Sequence, residues 1–126
     1  MKTVMAIALG GALGAVARHF ISHWSVVALG NGFPWGTLTV NVVGCFALGV
    51  VVEVMALVWS PAAEWRAFLT VGVLGAFTTF SAFALDISIL HERGEMLQAI
   101  LYVTVSVAGS IAAIFAGMSL TRAGLQ

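Results

Sequence analysis

Few side chains in this sequence can do chemistry, and most of those are neutral. From Val71 to Ile87 the chain reads VGVLGAFTTFSAFALDI, an apolar stretch holding Gly72, Gly75, Thr78, Thr79 and Ser81, with Phe77, Phe80 and Phe83 spaced three apart. Tyr102, Ser106 and Ser110 then recur every fourth residue, which aligns three hydroxyls along one face of a helix. Asn41 adds an amide that donates and accepts without carrying charge. Hydroxyls, amides and the positive edges of phenyl rings are all neutral donors. A path built from them suits a small anion better than a cation. No Lys or Arg falls in the middle of these segments to hold the anion permanently, and conduction requires binding weak enough to release.

Each of these groups also has a plainer use. Asn41 reads equally as glue between helices, worth only about 0.6 kcal/mol on average in a membrane protein. Isolated Ser and Thr hydroxyls bond back to their own helix, but a Tyr hydroxyl cannot, so the aligned three read as a polar track. Three Phe on an arbitrary helix would read as packing. Gly72, Gly75 and the hydroxyls after them weaken a helix, and backbone freed at membrane depth can present carbonyls to a cation.

The charged groups point away from other chemistries. Glu53 and Asp86 fall toward the ends of their apolar segments, where a carboxylate can reach the interface. A proton-coupled carrier needs a carboxylate near the midplane, where a charge costs about 2.5–3.5 kcal/mol on insertion scales. His19 and His23 have the i, i+4 spacing that binds Zn²⁺, but no third ligand accompanies them, so they read as interfacial. There is no nucleophile–base pairing, phosphate loop or zinc cluster, and an enzyme is not expected.

The elements that position these residues follow from composition. Of 126 residues, 61% are hydrophobic and 8% charged, with mean hydropathy +1.09. A soluble domain is about a quarter charged, so this is an integral membrane protein. Net charge is +0 and the five basic residues are scattered, which excludes a nucleic-acid surface. The single Cys45 excludes an intrachain disulfide. A membrane helix needs about 20 apolar residues. Four segments qualify: about Val4–Leu29, Trp35–Trp59, Glu64–Leu90 and Met96–Leu120. Trp24, Trp35, Trp59 and Trp65 lie near their ends, as an aromatic belt requires. The Ala15–Ala17 stretch imitates a signal-peptide cleavage site, but the run reads better as a first span. Residues 1–126 then form one four-helix unit with no extramembrane domain.

Orientation and assembly come next. With four spans, Lys2, Arg66 and Arg122 share one side, while Arg93 and Arg18 lie on the other. That bias is too small for the positive-inside rule to act on, so insertion both ways round is expected. Four short helices make a poor pore alone. Gly10 and Gly14 form a GxxxG pair, and Gly109, Ala113 and Gly117 line one face of the fourth span, which favours a homo-oligomer, most simply a dimer.

Three motifs, in order along nearly the whole chain, resemble those of the CrcB/Fluc fluoride channels. GGALGAVAR (Gly10–Arg18) is similar to the family's first-helix glycines and arginine, WGTLTVN (Trp35–Asn41) to its GTL-x-x-N motif, and GAFTTFSAF (Gly75–Phe83) to its TTFS-x-F signature. The resemblance implies four transmembrane helices with the third broken near its middle, in a dual-topology antiparallel homodimer of the bacterial inner membrane. It implies that Phe80 and Phe83 turn their ring edges to fluoride, with Asn41, Thr79, Ser81, Tyr102, Ser106 and Ser110 along the route. It also implies that the backbone carbonyls of Gly75 and Thr78 hold a structural Na⁺ at the dimer centre. The implied activity is passive fluoride export and hence fluoride resistance: HF crosses membranes uncharged, dissociates in the more alkaline cytoplasm, and the trapped anion drains out. The chain departs from the family at Ala82 and Ala84, where Thr or Ser is frequent, and at Asp86, where Glu is usual. Two other readings compete. A small dual-topology proton-coupled multidrug exporter would need a midplane acid in the first span, and none is there. A pore-less accessory subunit would need neither the aligned hydroxyls nor the paired Phe.

Overall fold

Inside a bilayer, a helix pairs every backbone N–H and C=O within its own segment, and the apolar runs fold accordingly. In the computed structural model, which describes residues 1–126, α1 spans Lys2–Leu29 and α2 spans Trp35–Leu57. The third span is composite. It consists of α3 (Ala63–Ala67), a wider π-helical turn (Phe68–Leu74), α4 (Gly75–Phe77) and α5 (Phe80–Glu92). Helix α6 covers Met96–Leu125, and there are no strands. Four helical rods, Lys2–Leu29, Trp35–Leu57, Ala63–Glu92 and Met96–Leu125, are long and apolar enough to cross a membrane. These are the four segments expected from the sequence, the last running one turn further than Leu120.

Two glycines make the sharp ends. Gly30 follows α1 with φ 77°, and its N–H donates to the Val26 carbonyl at 2.8 Å. Gly94 closes α5 with φ 74°, while Glu95 N–H reaches back to the Leu90 carbonyl at 2.9 Å. Both angles lie in the left-handed region that only glycine enters without penalty.

The helices meet backbone to backbone. A methyl group on Gly14 of α1 would strike the carbonyl of Val73 in the π-helical turn, and one on Gly10 would come within 3.0 Å of Val73 N. On the other side of the bundle, Gly49 of α2 lies under the Ile114 carbonyl of α6, and Gly117 of α6 under the Phe46 carbonyl of α2. The GxxxG pair of the first span and Gly117 of the fourth therefore make their close contacts within one chain. Gly109, by contrast, has only the Val42 side chain nearby, at 3.6 Å. Small residues let helices approach closely wherever they meet, so their spacing alone cannot say whether the partner is in the same chain.

The α2–α6 crossing also carries a charge pair. Arg122 donates through Nε to Glu53 Oε1 at 2.8 Å, and Glu53 is only 4% exposed. Near the end of its span, Glu53 is buried against α6 and paired with Arg122, which is itself about half exposed. Only 15 of the 126 residues are buried, and many large apolar side chains are exposed, as they are in a protein whose solvent is lipid.

Candidate anion cavity

The neutral polar residues converge where the third span changes course. Thr78 (φ −83°, ψ 159°) and Thr79 (φ −156°, ψ 124°) are extended, between α4 and α5. Extended residues inside a helical rod leave backbone groups without ladder partners, and side chains take them over. Asn41 of α2 does so twice. Its Nδ2 donates to the Thr79 carbonyl at 2.9 Å, and its Oδ1 accepts from Thr79 N–H at 2.7 Å. Thr79 then caps α5 with its hydroxyl, accepting from Ala82 N–H at 3.1 Å, as an N-cap Thr does. In an uninterrupted helix, Thr79 N–H would close onto Gly75 and Ala82 N–H onto Thr78. Both donors are diverted, and the Gly75 and Thr78 carbonyls lose those partners.

Beside this step lies a cavity of about 270 Å³. Asn41 and Cys45 line it from α2, Thr78, Thr79, Phe80 and Phe83 from the third span, and Ser106 and Ser110 from α6. None of its lining residues carries a charge. The Oγ atoms of Ser106 and Ser110 are buried and make no hydrogen bond, and Ser106 as a whole is 4% exposed. A buried hydroxyl without a partner costs about 1–3 kcal/mol. Both of these hydroxyls belong to residues that line this one cavity.

The rest of the expected route lies around this cavity. Ser81 is exposed and sits 3.3 Å from the Thr79 hydroxyl. Tyr102 is fully buried and outside the cavity lining. Its hydroxyl donates to Asp86 Oδ2 at 2.9 Å, and its ring packs on Phe83 with centroids 5.1 Å apart. Asp86, toward the end of its span, is thus half-buried and engaged by Tyr102. It lines a second cavity of about 260 Å³ near the span ends, with Asn31, Thr37 and Arg93 among its other walls. Tyr102 therefore joins the two: its ring touches a wall of the inner cavity and its hydroxyl touches a wall of the outer one. The phenyl pair is asymmetric. Phe83 is 7% exposed and Phe80 79%, with ring centroids 5.5 Å apart and planes at 53°.

One lining residue and two side-chain contacts were not foreseen from the sequence. Cys45 lines the cavity, and its position one helical turn after Asn41 is the signal that places it on the same face. Asp86 as the acceptor for Tyr102 follows from its place three residues after Phe83, which shares that face. The Glu53–Arg122 pair joins positions 69 apart and has no local signal at all.

Comparison with known proteins agrees with the motifs. The family model described as CrcB-like protein, Camphor Resistance (CrcB), matches residues 5–118. A fluoride-specific ion channel of Rhodospirillum centenum is 52% identical over 126 residues, covering 97% of each chain. One from Rhizobium etli is 47% identical over 123 residues, covering 98% of each. Another, from Agrobacterium fabrum, is 47% identical over 122 residues, 97% of this chain and 98% of the relative.

Proposed function

This chain belongs to the CrcB family, and on that premise we propose how it works: as a fluoride-selective ion channel, not an enzyme, draining fluoride from the cytoplasm down its electrochemical gradient. The observation that carries the mechanism is the pair of buried, unpartnered hydroxyls of Ser106 and Ser110 in the wall of an uncharged cavity. Fluoride binds its water tightly and must be offered other donors when it gives that water up. Two hydroxyls, the second N–H of Asn41 Nδ2 and the edges of Phe80 and Phe83 supply them. Because all are neutral, the ion is bound weakly enough to move on. Thr79 lines the cavity, Ser81 stands beside it, and Tyr102 hands the route on toward Asp86 at the outer mouth.

The step at Thr78–Thr79 serves as a functional break in the third span. Gly75 and Thr78 carbonyls, relieved of their helical donors, fit the hard oxygen ligands that Na⁺ takes, and Gly75 is exposed. When bound there, the cation supplies a fixed positive charge that ties the break together. A second, antiparallel copy of this chain completes the assembly. What supports it is the exposed Phe80, Ser81 and Gly75, beside a cavity whose other walls are already in place. The multi-pass chain resides in this reading in the bacterial inner membrane, where passive fluoride export confers resistance.

The test in cells is growth. Bacteria lacking their own fluoride exporter, given this chain, should grow in acidic medium with fluoride that otherwise stops them. A strain that stays sensitive while the protein is abundant in its membrane would refute the export role.

A further inference from the structure

Cys45 is the one cysteine of the chain and is half-buried. By itself that would mean little, since a thiol in a membrane helix is ordinarily a small apolar side chain. Its surroundings change the reading. It lines the same cavity as Asn41, one turn earlier on α2, and as Ser106 and Ser110 of α6. Ser106 is 4% exposed and its hydroxyl has no partner, so this wall is built to meet a ligand and not merely to pack. We propose that Cys45 is a modification site in the wall of the anion cavity, open to small uncharged thiol-directed electrophiles, and that capping it closes the route. The inference rests on the cavity being the fluoride path.

Chemistry and size select the reagent class. The lining has no charge, and an ion entering without strong partners pays a large desolvation cost, so a neutral reagent is favoured over a charged one. Methyl methanethiosulfonate meets that requirement. The Cys45 sulfur attacks the sulfenyl sulfur of the reagent and a new S–S bond forms. The S–S bond of the thiosulfonate breaks, and methanesulfinic acid leaves with the thiol proton. The product is a methyl disulfide on Cys45. A methyl group now stands among the donors of Asn41, Ser106 and Ser110, where fluoride needs hydrogen bonds in exchange for water. The weak S–H donor is lost as well.

The experiment uses the whole protein in liposomes. Because Cys45 is the sole cysteine, intact mass reports its modification directly. We expect treatment to add one methylthio group per chain, to remove most fluoride efflux, and to be reversed by dithiothreitol. Fluoride in the buffer should slow labelling relative to the same concentration of chloride. In Cys45→Ala and Cys45→Ser, efflux before and after the reagent should be equal, whatever its starting level; the second variant serves if the first fails to assemble. Complete labelling with efflux intact would overturn the proposal. So would a thiol that reacts only after the protein is unfolded in detergent. A protein that carries no fluoride before treatment would refute the channel reading alone, because labelling and its slowing by fluoride are read by mass without any flux.

Discussion

At the scale of single residues, the two kinds of polar contact make opposite predictions. Asn41 holds both the N–H and the carbonyl of Thr79, 38 residues away. Asn41→Ala orphans both and should cost about 1–3 kcal/mol for each, visible as a large drop in melting temperature in detergent. Ser106 and Ser110 are the reverse case. Their hydroxyls bond to nothing, so Ser106→Ala or Ser110→Ala should leave stability unchanged or raise it, while fluoride efflux falls. If efflux follows stability in all three variants, the hydroxyls are only structural. The phenyl rings can be separated in the same way. Phe80→Ile and Phe83→Ile remove a ring edge while keeping apolar bulk, and each should lose most fluoride flux per folded protein. Phe83 is 7% exposed and should also lose some stability, whereas Phe80, 79% exposed, should not in the single chain. Phe77→Ile is the control, with flux largely retained. The serine track was legible from its four-residue spacing, since that alone sets a helix face. The partner of Asn41 was not, because a contact between distant positions leaves no periodic trace. The sequence left Asn41 equally readable as glue or as a donor on the path, and the bonds to Thr79 show that it does tie two spans together.

At the scale of elements, close crossings decide which glycines matter. Gly14 faces the Val73 carbonyl, Gly49 the Ile114 carbonyl and Gly117 the Phe46 carbonyl, and backbone cannot swing aside as a flexible side chain can. Alanine at any of the three should cost about 1–3 kcal/mol through overpacking. Gly11, on the same helix as Gly14, has nothing within 4 Å, and Gly11→Ala should stabilise by up to about 1 kcal/mol through helix propensity. Thermal unfolding of the four variants in one detergent checks the ranking, and equal melting temperatures would show that these crossings do not hold the bundle. The four spans themselves were plain from hydropathy, because length and apolar content are properties of a segment alone. The π-helical turn at Phe68–Leu74 was not, since nothing in FLTVGVL demands it. It lies where Gly10 and Gly14 of α1 approach Gly72 and Val73 closely, a contact between distant positions that leaves no local pattern. For the same reason the GxxxG spacing pointed outward to a partner subunit, although its contact lies within the chain.

At the scale of the whole molecule, charge is nearly absent as a guide. Lys2, Arg66 and Arg122 oppose Arg18 and Arg93, and Arg122 is drawn into a pair with the buried Glu53. A chain with so little bias should insert both ways, so a C-terminal reporter should appear on both sides of the membrane. Two lysines added to the His91–Glu95 loop should drive one orientation and, on the proposed antiparallel assembly, suppress transport for want of a partner; one orientation with full activity in the unmodified protein would contradict this. The central claim is narrower and needs only the purified chain in liposomes. Efflux of fluoride and of chloride is followed from matched vesicles with ion-selective electrodes. On the proposed route, the neutral donors of Ser106, Ser110 and Asn41 stand in for the tightly held water of a small anion, so fluoride should leave rapidly and chloride should stay. Chloride efflux comparable to that of fluoride would contradict the account.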